Sequence, residues 1–231
     1  VRNRLTTLCL LGTLLSSAQQ GMAQLTADPG PERRLVLGLD LSKTLIPALS
    51  GKGANFPFKH KSFFTIEPSL RIEMANKRFS WVLQPGFTRF TDAPFGNASL
   101  SMTGSFLKAG AEYRIATDHF LGLLLTTSGW QTEGTVTIPS PAFSPYQSAL
   151  PTNRGVAGGL EFQSSQGIRL GPTSMFRFVV RLNSFWRSRL RYSPETPYIP
   201  GLGRYGDLRG SSMSATFGAS LEYHYYLRGR W

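Results

Sequence analysis

Two sets of charged residues in this chain could do chemistry, and they are arranged by different rules. The first set recurs at alternate positions inside otherwise apolar segments: Asp40, Glu67, Arg71, Glu73, Lys108, Glu112, Arg114, Glu161, Arg177, Arg181 and Glu222, with His224 beside the last. Its six acids and five bases nearly cancel, although the whole chain carries a formal charge of +12 from 25 Lys and Arg against 13 Asp and Glu. Charges held in a low-dielectric interior are costly unless paired, so a balanced set predicts mutual salt bridges. The second set is basic and lies between such segments: Lys52, Lys59, Lys61, Arg187, Arg189, Arg191, Arg204 and Arg209. Only Glu195 and Asp207 offset its last group. Lys and Arg in that number suit phosphate-bearing partners; the plainer alternative is a solvated loop whose charges serve solubility.

Other reactive groups are sparse. His60, His119 and His224 show no ligand spacing, so neither a metal nor another cofactor is expected. His224 with Ser220 and Glu222, all of one parity, is the nearest approach to the serine–histidine set of a lipid-modifying enzyme; a place for His224 in the charge network is the competing reading. Gly201-Leu202-Gly203-Arg204-Tyr205-Gly206 matches a dinucleotide-binding string, but it follows Tyr198-Ile199-Pro200 instead of a strand feeding a helix, and reads better as a flexible glycine-rich loop. The single cysteine, Cys9, falls in the N-terminal apolar run and offers no disulfide.

What must position the alternating charges is a set of strands. No mature segment approaches the roughly 18 consecutive apolar residues of a helical span. Period-two alternation recurs instead, in segments at 34–43, 63–74, 79–90, 104–115, 119–131, 154–164, 174–186 and from 212 to 227. In the last of these, Met213, Ala215, Phe217, Ala219, Leu221, Tyr223, Tyr225 and Leu227 oppose Ser212, Ser214, Thr216, Gly218, Ser220, Glu222, His224 and Tyr226. The segment around Leu121–Leu125 alternates least well. Connections are long after the first, third, fifth and seventh strands and short after the second, fourth and sixth, as in barrels with long outer loops and short periplasmic turns. Prolines at 139, 141, 145 and 151 predict an irregular third long loop. Aromatics are expected in two interfacial bands, Phe79, Trp81, Tyr113, Phe120, Tyr223 and Tyr225 at one end and Phe64, Phe87, Phe90, Trp130 and Trp186 at the other. The expected fold is all-β, a transmembrane antiparallel up-and-down barrel of about eight strands.

The N-terminus fixes the expected address. Arg2 and Arg4 precede an apolar core from Leu5 to Leu15, and Gly21-Met22-Ala23 supplies small residues for cleavage, with cleavage after Ala18 the competing site. The organisation read from this is a secretory leader at 1–23, a short periplasmic segment at 24–33 and the barrel at 34–231. An exported barrel belongs in an outer membrane, where its expected partners are lipids, an anionic glycolipid at the outer rim first among them, or a surface protein or ligand, and not nucleic acid.

Gly38-Leu39-Asp40-Leu41-Ser42-Lys43, Arg181-Leu182-Asn183 and Pro197-Tyr198-Ile199-Pro200-Gly201 resemble stretches of an uncharacterised family of small outer-membrane barrels of Bacteroidota type. The resemblance implies an outer-membrane barrel and transfers no catalytic or ligand residue. An eight-stranded barrel has room inside for side chains and little else. A structural or surface-interaction role with a side-chain-plugged lumen is therefore expected, ahead of a narrow pore or small-ligand binder and of a lipid-modifying enzyme. Glu161 and Arg177, both near the turn between the sixth and seventh strands, are expected to pair directly.

Overall fold

The computed structural model describes residues 33–42, 62–74, 78–92, 98–138, 144–188, 198–204 and 213–227. The chain climbs and descends through β1 (Arg33–Asp40), β2 (Ser62–Ile66), β3 (Pro68–Met74), β4 (Phe79–Asp92), β5 (Ala98–Ala116), β6 (His119–Ile138), β7 (Tyr146–Arg169) and β8 (Ser174–Arg187). The two-residue strands β9 (Tyr198–Ile199) and β10 (Gly203–Arg204) follow, and β11 (Met213–Leu227) ends the series. Strands β2 and β3 both pair with β4, in one continuous register: Ile66 lies opposite Phe87 and Leu70 opposite Leu83. Carried across the gap, that register sets Pro68 against Pro85. Neither proline has an N–H to donate, which is reason enough for the ladder to lapse there. Counting β2 and β3 as one, eight antiparallel strands form a ring that β11 closes by pairing with β1.

The hydrogen-bonded rows climb around this ring. Asp40, the last residue of β1, is level with Glu222, which is level with Arg177, which is level with Gly167, two residues from the other end of β7. Strands tilted against the barrel axis produce that stagger. It decides which inward side chains can meet, because residues far apart along their own strands come to one height.

The ends of the ring differ. At one, the connections between described strands are short, and Thr117-Asp118 turns β5 into β6 with Asp118 at φ 57°. A short polar side chain tolerates this left-handed conformation better than most. Arg169, the last residue of β7, holds the Asp118 carboxylate at 3.0 Å. The other end carries the two long connections, from β1 to β2 and from β8 to β11.

Three expectations need correction. Strands β5, β6 and β7 run well past the predicted limits, so the second long loop shrinks to the few residues between Asp92 and Ala98 and the third to those between Ile138 and Tyr146. Pro151 lies within β7, beside the register shift at Thr132/Gly134, where a bulge tolerates a residue that cannot join the ladder. The segment 198–204 is no free glycine-rich loop: Ile199 and Leu202 are fully buried. The segments 1–23 and 24–32 lie outside the described residues, and Arg33 already belongs to β1.

Parity separates the two faces of the wall. Outward positions across β4 to β7 form successive rows: Phe79, Tyr113 and Leu121; Trp81, Leu123 and Phe162; Leu83, Leu125 and Leu160; Pro85, Leu107, Thr127 and Gly158; then Phe87, Ser105, Gly129 and Val156. Their large members are exposed, Leu125 and Trp81 by 67% and 59%. In the expected aromatic bands, Phe90, Trp130 and Phe120 are misplaced. All three are buried inside the ring, because each shares the parity of polar inward neighbours such as Thr88, Thr126 and Ser128.

Candidate functional site

The site is the interior of the ring, and it has three layers. Nearest the short turns, Val36, Phe120, Met175 and Tyr226 form an apolar layer. Its edge is charged: the Arg177 guanidinium lies 4.2 Å from the centre of the Phe120 ring and that of Arg114 5.1 Å from it. Both distances suit a cation over an aromatic face. Arg114 also reaches Glu73 at 3.5 Å, but its side chain is 39% exposed, so this pair stands at the margin.

The middle layer is ionic. Arg71 on β3 contacts Glu112 on β5 at 3.3 Å and Glu222 on β11 at 3.0 Å. Glu112 is also held by Arg177 from β8 at 3.0 Å, and Arg177 donates to Ser165 as well. Lys108 on β5 bridges Glu67 at 2.9 Å and Glu161 on β7 at 2.7 Å. Arg181 joins the two halves, reaching Asp40 at 3.1 Å, Glu161 at 3.4 Å and Glu222. All nine of these charged residues are buried. Only two of these ion pairs, those of Arg181 with Glu222 and with Glu161, link adjacent strands. The others join strands at least two places apart on the ring, about 10 Å along the wall, so their side chains extend into the lumen to meet. Gln84 and Gln163 fill the same layer, and Gln163 donates to Glu161. Buried charges tolerate such a place only when nearly every one is paired and hydrogen-bonded.

Nearest the long connections lies a second apolar layer of Phe90, Met102, Trp130, Ala157, Phe185, Ile199 and Leu202. Its last two members belong to the β9–β10 hairpin, which packs against the inner wall. The Leu202 carbonyl accepts from Asn183 at 3.3 Å and from the Thr216 hydroxyl. Gly201, at φ 75°, turns the hairpin against the Phe106 ring, where any Cβ would lie 2.5 Å from ring carbons. The far end of that ring lies over Gly86, where a Cβ would come within 2.0 Å of it. Glycine is required at both places by close approach, and at Gly201 also by backbone conformation.

The expected direct pair between Glu161 and Arg177 does not form. Glu161 is level with Asn183 and Arg177 with Gly167, so the two stand at different heights. Equal distance from the turn in sequence was the wrong measure, since β7 runs on to Arg169 while β8 begins at Ser174 as expected, which leaves Glu161 much farther from the turn than Arg177. Ser220 and His224 make no hydrogen bond to each other: the His224 ring nitrogen faces Glu222 at 2.8 Å and Arg71 at 3.0 Å, while the Ser220 hydroxyl has no partner among the described residues. A different serine–histidine contact, Ser164 with His119 at 3.4 Å, lies at the turn end of the outer wall. Among the described residues no group of three or more His, Cys, Asp or Glu could hold a metal.

Of the basic rim, Lys52, Lys59, Lys61, Arg189, Arg191 and Arg209 lie outside the described residues. Arg187 ends β8 with inward parity, and Arg204 ends β10. The residues missed by sequence reasoning are the apolar ones of both layers. Parity would have found Phe90, Trp130 and Phe120; no local pattern marks Ile199 and Leu202, whose burial depends on where the hairpin folds.

No protein-family model matches the chain and no curated protein matches it; the Bacteroidota resemblance thus has no family model behind it. Among solved structures, the chain is similar to Ail, the attachment invasion locus protein of Yersinia pestis, in complex with the heparin analogue sucrose octasulfate, at 14% identity over 86% of this chain and 99% of that one, with a TM-score of 0.36. Similarity that weak transfers neither ligand nor role.

Proposed function

We propose that this protein is an exported outer-membrane barrel that does not conduct, its lumen plugged by its own side chains and its surface-interaction role carried by the outer end. The observation that carries this reading is the ionic layer, in which nine buried charges bond across the lumen between two apolar layers. An ion passing through would have to break several buried pairs, each costly to break. The exposed apolar rows of the outer wall support a lipid surround, and the leader-like N-terminus supports export.

Planar-bilayer recording tests the reading. The purified full-length barrel should give no stable conductance at high salt, and removing residues 198–204 should not open it, because the ionic layer lies beneath the hairpin. A steady porin-like current from the unaltered protein would refute the proposal and favour a narrow pore.

A further inference from the structure

One row of the outer wall departs from the apolar pattern below it. Immediately beyond Phe87, Ser105, Gly129 and Val156, toward the long connections, the next outward row is Arg89, Thr103, Gln131 and Arg154, level with one another on β4, β5, β6 and β7. The backbones of its two arginines thus stand at the ends of a line about 14 Å long, three strand spacings. Arg154 leans inward along that line, donating to Gln131 at 3.2 Å. Gln131 in turn donates to Glu133 at 2.6 Å, one position nearer the loops. Arg89 is exposed and makes no ion pair among the described residues.

Two depressions meet at Thr103 and Gln131. The one on the apolar side is a shallow, open hollow with Phe87 and Arg154 at its sides and Ser105 and Gly129 beneath it. A Cβ added at Gly129 would meet nothing within 4 Å, so the floor is open. The one on the loop side is lined by Ser101, Thr103, Gln131 and Glu133, and its surface is mainly polar. An apolar trough, a pair of cations and a patch of hydroxyl, amide and carboxylate groups therefore follow one another across the level where the wall leaves its apolar band.

We infer that this face binds a phosphorylated glycolipid of the surrounding leaflet, with an acyl chain in the trough over Gly129, a phosphate between Arg89 and Arg154, and sugar hydroxyls on Ser101, Thr103 and Glu133. The inference rests on the outer-membrane reading and adds the partner and its site. Two arginines and a hydroxyl answer a phosphate's charge and its several acceptor oxygens. Glu133 would repel a bare anion, yet it accepts well from sugar hydroxyls, which favours a glycolipid over a simple phospholipid. An arginine at the edge of an apolar wall also keeps its stem against lipid and its charge at headgroup level.

The test uses the full-length protein folded in detergent micelles, with folding checked by heat-modifiable gel migration, and native mass spectrometry to count retained lipid. The probes are a bisphosphorylated lipid A, the same lipid without phosphates, and phosphatidylglycerol. Lipid A should be retained by the unaltered protein, about tenfold less by R89Q/R154Q, as expected for losing charge-assisted contacts, and poorly when dephosphorylated. G129L, which fills the trough without changing charge, should also lower retention. Equal retention of phosphatidylglycerol, full competition by inorganic phosphate, or unchanged binding by R89Q/R154Q would each overturn the assignment. A chain that never folds into micelles would overturn the outer-membrane reading itself, whereas a folded barrel that ignores lipid A overturns only this site.

Discussion

At the scale of single residues, what matters is that each buried charge has its partners supplied by distant parts of the chain. Lys108 meets Glu67 and Glu161 from strands on either side of its own neighbours. Removing one member of the Lys108–Glu161 pair leaves a buried charge behind and is expected to cost about 3–5 kcal/mol. The double variant should recover part of that loss. Urea unfolding of lipid-inserted protein, run as a double-mutant cycle on Lys108→Met and Glu161→Gln, measures the coupling. The same cycle on Glu161 and Arg177, which share no bond, should be nearly additive; strong coupling there with none at Lys108 would contradict the arrangement.

Among the elements, the β9–β10 hairpin has the least support from its own sequence and the most from its surroundings. Two residues per strand cannot form a stable hairpin alone. It is held by the apolar layer and by the Leu202 carbonyl contacts with Asn183 and Thr216. Gly201→Val would place a β-branched residue at φ 75° and drive a side chain into Phe106. The backbone strain alone costs about 1–2 kcal/mol, and the clash adds to it. The variant should keep its barrel but lose the docked hairpin, so that limited proteolysis cuts between Arg187 and Met213 faster while the rest of the chain stays resistant. Cleavage unchanged from the unaltered protein would show that the hairpin does not depend on Gly201.

For the molecule as a whole, the ring is inside-out relative to a soluble core: its apolar rows face outward and its charges inward. Leu221, midway along β11, is exposed beside the buried Ser220 and Glu222. Leu221→Arg should destabilise the lipid-inserted barrel by about 2–4 kcal/mol, as for a cation near the bilayer midplane, and Phe217→Arg by less if it lies closer to an interface. Ser220→Ala, on the other face, should have a milder effect. Unfolding titrations in vesicles check the ranking; if Ser220→Ala proved the more damaging, the assignment of faces on β11 would be reversed.

The alternation of residue types determined which residues face in and which face out, because a strand's side chains change sides at every step. That rule places Asp40, Glu112, Glu161, Arg181 and Glu222 inside without any knowledge of neighbours. It also holds for Phe90, Trp130 and Phe120, which the pull of aromatics toward interfaces had assigned wrongly. Alternation carries no information about height, however. Whether Glu161 meets Lys108 or Arg177 depends on where each strand ends and on how far the ring staggers, and both are settled by pairing around the whole barrel. The burial of Ile199 and Leu202 was likewise beyond local reading, since a short hairpin has no core of its own and only the space left above the ionic layer decides where it lies.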